Sequence, residues 1–251
     1  MPMNKLSVVI IAFNEEESIA RCITSVKAVA DEVVVVDSFS TDKTVEIAKS
    51  LDAKVIMHPF ENYIQQKNFA ANQASFDYIL NLDADECLSE ELLQSILQLR
   101  MNGFTADGYA MNRLNFYCGR PVKTCGWYPD TKIRLWNRQK GNWQGQLIHE
   151  RLVMAPNTTV QQLNGDLLHY SFPTQELYIQ QCDKFATIAA KQLKSRNVWV
   201  LVFKLLFSPG FKFIKNYFFN VGFTDGNTGF TICYHQAREV LLKYYRAIKL
   251  K

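Results

Sequence analysis

The sequence lacks three features: an apolar run long enough to cross a membrane, a secretory signal, and a paired-cysteine motif. Its start, MPMNKLSVVIIAFNEEES, holds only about seven apolar residues before acidic ones, whereas a signal needs a basic start and a longer apolar stretch. The six cysteines are scattered, without any C-x-x-C pair. We therefore expect a cytosolic protein with thiols as packing residues. A Cys118–Cys125 disulfide across a hairpin is the alternative.

Several signatures of nucleotide-binding and hydrolytic enzymes are also missing. The chain contains no G-x-x-x-x-G-K-[ST], G-x-G-x-x-G, H-E-x-x-H or G-x-S-x-G motif, and no repeat of 20–50 residues. A sugar nucleotidyltransferase needs a glycine-rich phosphate loop after its first strand, and the segment AFNEEES has no glycine there. These absences exclude the classes that depend on such motifs.

The first hundred residues alternate between strand-like and helix-like segments. Continuous apolar, β-branched runs predict buried parallel strands at Leu6–Ala12, Glu32–Asp37, Lys54–Met57 and Tyr78–Leu82. Helical spacing predicts helices at about 15–29, 41–51, 62–75 and 90–100, with Asn14 and Ser89 as N-caps of the first and last. Strands joined by helices of this length predict an α/β fold with a doubly wound, mostly parallel sheet.

Residues 108–170 have a different pattern. Short strand-like pieces, YAMNRLNFY, KIRLWN, RLVMA and DLLHYSF, are separated by glycine and proline. They predict a mixed or antiparallel extension of the sheet. Thr174–Ser195 then has helical spacing, and the remainder is helical, aromatic and basic.

Polar residues follow three of the predicted strands directly. They are Ala12-Phe13-Asn14, Asp37-Ser38 and Asp83-Ala84-Asp85. In parallel α/β sheets, ligands bind beyond the carboxyl ends of the strands, so we expect these segments to share one site. Two carboxylates at i and i+2 are suitable oxygen ligands for Mg²⁺ or Mn²⁺. The alternative for such a lone D-x-D pair is a solvated turn.

Longer segments resemble a known enzyme family. SVVIIAFNEEESI, DEVVVVDSFSTDKT, QQKNFAANQA and YILNLDADE resemble the donor half of inverting family 2 glycosyltransferases, which have the GT-A fold. GWYPDTKIRLWNR, IHERL, LLHYSF and GFTDGNTGF are more specifically similar to β-1,4-glucosyltransferases of lipopolysaccharide and lipooligosaccharide core assembly. The resemblance covers about residues 4–235. It implies a transferase domain at 1–195, with donor half 1–105 and acceptor half 106–195, and a C-terminal segment at 196–251.

The resemblance implies transfer of a hexose, with glucose as the best guess, from a UDP-sugar to a saccharide or glycolipid acceptor. It also implies inversion of the anomeric configuration and Mg²⁺ or Mn²⁺ as cofactor. Two alternatives remain open among proteins of this kind. One is a family 2 transferase with another sugar or a polyprenyl-phosphate acceptor. The other is a protein that binds nucleotide sugars without turnover. No nucleic-acid partner is expected.

The resemblance also implies roles for individual residues. The donor-binding positions are Ala12, Asn14, Glu15, Asp37, Lys67 and Asp83. Where the family often has a second acid after Asp37, this chain has Ser38. Asp85 is the principal metal ligand, assisted by Asp83 and by His169. The alternatives are helix capping for Asn14 and Asp37, an exposed helix lysine for Lys67, and a hydrogen-bonded core residue for His169.

A displacement at the anomeric carbon needs a base for the acceptor hydroxyl. Glu150 matches the position of the base in this fold, with a salt bridge to Arg151 or a nearby lysine as the alternative, and Asp130 is the reserve. Trp127 and Tyr128, beside a glycine, are candidates for stacking on the acceptor sugar, with local packing as the alternative.

The last sixty residues are strongly basic. Residues 191–251 carry 11 Lys and Arg against 2 Asp and Glu, whereas residues 1–190 carry 17 against 22. The apolar run VWVLVFKLLF ends at Ser208-Pro209-Gly210 and is too short to span a bilayer. We predict two short helices broken at Pro209-Gly210 that lie on an anionic membrane surface, at the inner face of the cytoplasmic membrane. Packing onto the transferase core is the alternative.

Overall fold

The computed structural model describes residues 4–145 and 150–251. They form two compact units, one within Met1–Arg113 and Asp130–His169, the other formed by Leu114–Pro129 and Tyr170–Lys251. The domain boundary predicted at residue 195 is a different division and stays a prediction.

The parallel part of the first unit has four strands. They are β1 (Leu6–Ala12), β2 (Glu32–Asp37), β3 (Lys54–Met57) and β4 (Tyr78–Asp83). Every residue of β1 is buried, and its side chains alternate between two apolar clusters, with Val8 and Ile10 in one and Val9 and Ile11 in the other. This is the burial expected of a central parallel strand covered on both faces, and the predicted α/β fold is confirmed.

Four helices cover this part of the sheet: α1 (Ile19–Val26), α2 (Thr44–Ser50), α3 (Tyr63–Asn72) and α4 (Glu90–Asn102). Ser89 caps α4 as predicted, because its hydroxyl accepts the N–H of Leu92. The predicted capping role of Asn14 is wrong. Helix α1 begins only at Ile19, and Asn14 lies in a preceding loop with φ of 54°.

The mixed extension of the sheet contains five strands: β5 (Glu86–Leu88), β6 (Gly108–Tyr117), β7 (Arg120–Pro121), β8 (Asp130–Asn137) and β11 (Val160–Phe172). The strands β9 (Gly141–Gln144) and β10 (Arg151–Met154) form a separate two-stranded sheet. The order in the main sheet is β3-β2-β1-β4-β8-β6-β11-β5, with β7 paired to β6. The pairs β4–β8, β6–β8 and β5–β11 are antiparallel. The predicted combination of a parallel sheet and a mixed extension is thus present.

The second unit is mainly helical, with α5 (Gln175–Gln192), α6 (Val198–Ile214), a π-helical turn at Lys215–Phe219, a 3₁₀ turn at Gly222–Asp225 and α7 (Gly226–Lys249). One apolar cluster contains Tyr117, Cys125, Tyr178 and Cys233 among others. All six cysteines are free thiols. In the described ranges, no helix combines the length and the apolar character needed to cross a bilayer.

The predicted helix break at Pro209-Gly210 is wrong. Pro209 lies inside α6, which continues to Ile214. A proline removes one backbone donor from a helix, but the turns before and after it keep theirs. The chain leaves the helical path later, at Val221, whose φ is 48°.

Candidate active site

The ends of the parallel strands bring the predicted polar segments together. Ala12 pairs with Asp37 across β1 and β2, and Ile11 pairs with Asp83 across β1 and β4. The N–H of Ser38 donates to the carbonyl of Ala12 at 2.9 Å. The three segments therefore lie at one edge of the sheet, where parallel α/β proteins bind their ligands.

Asp83 is held between two buried cations. Lys67 Nζ lies 3.0 Å from its Oδ1, and Arg134 donates to its Oδ2 at 2.9 Å. Burial alone would raise the pKa of this carboxyl, but the charges of Lys67 and Arg134 outweigh it and hold the pKa well below its usual range. Asp83 is thus an ionised group with a fixed orientation.

Asp85 faces a histidine from a distant part of the chain. Antiparallel pairing of β5 and β11 places His169 opposite Glu86, and His169 Nε2 lies 3.1 Å from Asp85 Oδ2. Burial raises the pKa of Asp85, but the nearby imidazole more than compensates and lowers it. His169 therefore lies beside Asp85, as the resemblance implied.

A buried ion-pair network lies directly under this turn. The Glu86 carboxylate is fully buried and accepts hydrogen bonds from Arg134 at 2.5 Å and from the backbone N–H of Asp83 at 3.0 Å. Arg113 also reaches Glu86, at 3.4 Å, and binds Asp130. Sequence reasoning assigned no role to Glu86, Arg113 or Arg134. The available signal was a charged residue inside an apolar strand, Arg134 in KIRLWN.

Lys67 and Glu150 lie together beside Asp83. Lys67 is almost completely buried, which excludes the alternative of an exposed helix lysine. Its Nζ is 3.8 Å from Glu150 Oε1 and stacks on the Trp143 ring at 4.6 Å from the centroid. The ion pair with a nearby lysine, considered for Glu150 above, is thus present, but at 3.8 Å it is too long for a hydrogen bond. His149, which precedes Glu150 in the sequence motif, lies outside the described residues.

Asn14 and Asp37 both accept hydrogen bonds from the loop that follows β2. Asn14 Oδ1 accepts the N–H of Thr41 at 2.8 Å, and Asp37 accepts the N–H and the hydroxyl of Ser40. Ser38, at the position of the family's second acid, accepts a hydrogen bond from Gln66 at 3.0 Å. These contacts shape the loops where the nucleoside was predicted.

Glu15 adds a further carboxyl to the same edge. Its N–H donates to Thr44 Oγ1 at 2.7 Å. Burial, followed by the negative charge of Asp85, raises the pKa of Glu15 to about 7. Glu15 thus lies in the negative field of Asp85, which a divalent cation bound at Asp85 would reduce.

The remaining candidates have defined surroundings. Asp130 binds Arg113 at 2.8 Å and Lys132 at 2.9 Å, and although burial raises its pKa, these cations lower it overall. Trp127 belongs to the second unit and packs against Phe172 and Tyr178. The ring of Tyr128 lies under Lys123 Nζ at 5.2 Å. The predicted acceptor role of the two aromatic residues stays a prediction.

The residues around Asp85 fit a Mg²⁺ or Mn²⁺ ion that also binds substrate. Within 4–145 and 150–251, no group of three or more His, Cys, Asp or Glu side chains is arranged as a preformed metal site. Mg²⁺ in phosphoryl-binding sites is commonly held by one or two carboxylates and completed by phosphate oxygens and water. Asp85 and His169, 3.1 Å apart, supply such an incomplete set.

Residues 7–152 match the family model described as glycosyl transferase family 2. The chain belongs to this family. A glycosyltransferase of Rickettsia typhi, described as uncharacterized, is 35% identical over 99% of this chain and 89% of its own length. The lipopolysaccharide core biosynthesis glycosyltransferase LpsC of Rhizobium meliloti is 31% identical over 92% of this chain and 87% of its own length.

Solved structures similar to this family 2 transferase include a glucosyl-3-phosphoglycerate synthase from Mycobacterium tuberculosis, in complex with Mn²⁺, UDP and glucosyl-3-phosphoglycerate. It is 18% identical, with a TM-score of 0.47 over 74% of this chain and 78% of that chain. The predicted family membership is confirmed.

The buried network of the transferase should carry measurable stability. We expect Glu86→Ala to lower the free energy of unfolding by about 3–5 kcal/mol, because it removes one of the two carboxylates that bind the buried Arg134 and leaves the Asp83 N–H without its acceptor. Urea titration followed by circular dichroism measures this. Glu61→Ala, at an exposed carboxylate, is the control and should change stability by less than about 0.5 kcal/mol. Equal effects of the two substitutions would contradict the assigned role of Glu86.

Proposed function

We propose that the chain is an inverting, metal-dependent hexosyltransferase that uses a UDP-sugar donor. The observation that carries this proposal is the arrangement around Asp85. Its carboxylate projects from a turn at the strand ends, beside His169 and next to an Asp83 fixed by two cations. A site of oxygen and imidazole donors with open positions suits a divalent cation that binds a diphosphate.

Each donor-binding residue has a role consistent with its contacts. Ala12, Asn14 and Asp37 form the loops for the nucleoside, and Glu15 lies beside the two acids. Asp85 and His169 would hold the Mg²⁺ or Mn²⁺ ion, with Asp83 at the ribose end. When bound, this ion neutralises negative charge on the departing UDP. The Lys67 ammonium group lies 3.0 Å from Asp83 and 3.8 Å from Glu150, and it would face the diphosphate or the donor sugar.

Glu150 is the proposed base for the acceptor hydroxyl. Its carboxylate is partly exposed and, among the described residues, makes a single ion pair, with Lys67 at 3.8 Å. The reserve candidate Asp130 is bound by Arg113 and Lys132 at hydrogen-bond distance, so its capacity to accept a proton is lower. These contacts favour Glu150, which takes the hydroxyl proton as the acceptor oxygen attacks the anomeric carbon.

The donor and acceptor are proposed from similarity. The resemblance to β-1,4-glucosyltransferases favours glucose, and the 31% identity to a lipopolysaccharide core biosynthesis glycosyltransferase favours a core saccharide on a glycolipid. A glycolipid acceptor is anchored in a membrane, so we propose that the enzyme works peripherally on the inner face of the cytoplasmic membrane.

A donor panel tests this function. We expect UDP release from UDP-glucose, in the presence of Mn²⁺ and a core oligosaccharide acceptor, to exceed release from other UDP-hexoses by at least about 10-fold. Coupled detection of UDP measures it, with boiled enzyme and acceptor-free reactions as controls. Preference for another sugar, or for a polyprenyl phosphate acceptor, would replace the substrate assignment. Donor binding without any turnover would contradict the enzymatic proposal.

The stereochemistry provides an independent test. A single displacement with one base inverts the anomeric centre, so an α-linked donor should give a β-linked product. Proton NMR of the product's anomeric coupling constant distinguishes the two configurations. A product that keeps the α configuration would exclude the single-displacement mechanism.

A further inference from the structure

Helix α6 has one face of large apolar side chains that are exposed. Trp199 and Leu206 are 77% and 70% exposed, and Phe203, Phe207 and Phe211 are each exposed over more than half of their surface. Only Leu201 of this helix is buried. Contiguous apolar surface of this kind is rare on monomeric proteins and marks an interaction site.

The spacing shows that these side chains form a single stripe. Trp199, Phe203, Leu206, Phe207, Phe211 and Ile214 recur every three to four residues, which places them on one side of a helix with 3.6 residues per turn. Lys204 lies at the margin of the stripe. The π-helical turn then adds Phe218 and Phe219, of which Phe219 is 80% exposed. We refer to these eight apolar residues as the aromatic face.

Basic residues lie beside the start of α6. A surface cleft of about 210 Å³ is lined by Thr187, Ala190, Lys191, Arg246, Lys249 and Leu250. Ala190 also packs in one apolar cluster with Leu201, so the cleft lies beside the first turn of the helix. Arg246 is held by Asp183 and Thr187. Lys191 and Lys249 remain as two cationic side chains at this end of α6, where they would attract anionic lipid headgroups.

We propose that the aromatic face inserts into an anionic lipid bilayer, with Lys191 and Lys249 beside the lipid headgroups. Large aromatic side chains beside lysines are typical of helices that lie in the membrane interface. A second copy of the chain is the less suitable partner, because its residues 191–251 would bring a second segment with nine excess positive charges. An anionic bilayer instead supplies both the apolar interior and the opposite charge.

The proposed bilayer contact rests on the proposed function in one respect: its purpose would be to present a glycolipid acceptor to the enzyme. The lipid contact itself depends on residues of the second unit and on none of the proposed catalytic residues. Binding and transfer can therefore be measured separately.

Trp199 makes the insertion directly observable. Of the four tryptophans, Trp136 and Trp143 are buried and Trp127 is half-buried, whereas Trp199 is the most exposed. With vesicles of phosphatidylglycerol and phosphatidylethanolamine at low salt, we expect a blue shift of tryptophan emission and quenching by brominated acyl chains. Trp199→Phe should remove both signals while the protein still sediments with the vesicles.

Two sets of variants separate the apolar and ionic contributions. The combined Phe203→Ser, Leu206→Ser and Phe207→Ser variant should weaken vesicle partitioning at least about 100-fold at every salt concentration. Combined Lys191→Ala and Lys249→Ala should weaken it about 25-fold at low salt, and less as salt screens the charges. Met101→Ser, at an exposed apolar residue of α4, is the matched control and should bind as the wild type does.

Three results would overturn the proposal: equal and negligible binding to anionic and neutral vesicles at low salt, unchanged binding of the triple serine variant, or a lipid-free dimer that the triple serine variant abolishes. Transfer to a water-soluble oligosaccharide should be the same in all these variants. If even the wild type transfers no sugar, the proposed function fails while the vesicle result stands.

Discussion

Asp85→Asn is expected to reduce sugar transfer by about 10³-fold or more. The substitution removes a negative charge beside His169 but keeps the size of the side chain, so the turn between β4 and β5 should retain its structure. A divalent ion contributes several kcal/mol to the stabilisation of a departing diphosphate, and each 1.36 kcal/mol corresponds to a factor of ten in rate. UDP release measured over a range of Mn²⁺ concentrations gives the effect.

Two further measurements sharpen this experiment. Calorimetric titration of Mn²⁺ in the presence of UDP should show weaker metal binding by Asp85→Asn than by the wild type. Glu90→Gln, at an exposed carboxylate of α4, is the control for charge removal and should behave as the wild type. Full transfer activity in the presence of a chelator, or a fully active and folded Asp85→Asn variant, would exclude the metal-dependent mechanism.

Asp83 is a less suitable target for this test. It compensates the charges of both Lys67 and Arg134, which are almost completely buried. Its replacement by alanine would leave these cations undercompensated and would destabilise the fold. Loss of activity in such a variant would not separate a binding role from a structural one.

Glu150→Gln should lower the rate of transfer by about 10²–10⁴-fold, the usual contribution of a general base. The amide keeps the shape of the side chain but accepts no proton at neutral pH. Glu150 lies 3.8 Å from Lys67, which is beyond hydrogen-bond distance. We therefore expect no large loss of stability. Single-turnover kinetics and equilibrium binding of UDP measure the two effects separately, and UDP affinity should remain within a few-fold of the wild type.

Asp130→Asn is the comparison that decides between the two carboxylates. It should reduce transfer less than Glu150→Gln does, because Asp130 is engaged by Arg113 and Lys132. The reverse order, with normal UDP binding in Asp130→Asn, would transfer the role of base to Asp130. Thermal unfolding of both variants shows whether any loss of rate comes from loss of structure.

The parallel half of the fold was predictable because its strands are continuous apolar runs. Glu32–Asp37 and Lys54–Met57 were predicted with the observed bounds, and β4 differs by one residue. Helix ends were less accurate, since α1 begins four residues later than predicted. Strand Glu86–Leu88 was missed because three residues give no periodic signal, and its pairing with β11 depends on residues far along the chain.

Sequence reasoning found the candidate acids but not the groups that hold them. The D-x-D pair stands out because polar residues interrupt an apolar strand. Glu86 is also acidic and more deeply buried, yet its partners Arg113 and Arg134 come from strands 27 and 48 residues further along the chain. Such long-range ion pairs have no fixed spacing, so no local pattern predicts them.

The pairing of β5 with β11 limits how this enzyme can change in length. Because side chains alternate along a strand, a shift of one residue in this pairing would turn His169 to the opposite face of the sheet, away from Asp85. Insertions are therefore tolerable in the turns that join the antiparallel strands, but a single-residue deletion within Leu167–His169 would separate the two residues. Alignment of relatives should show length variation around these three positions and none inside them.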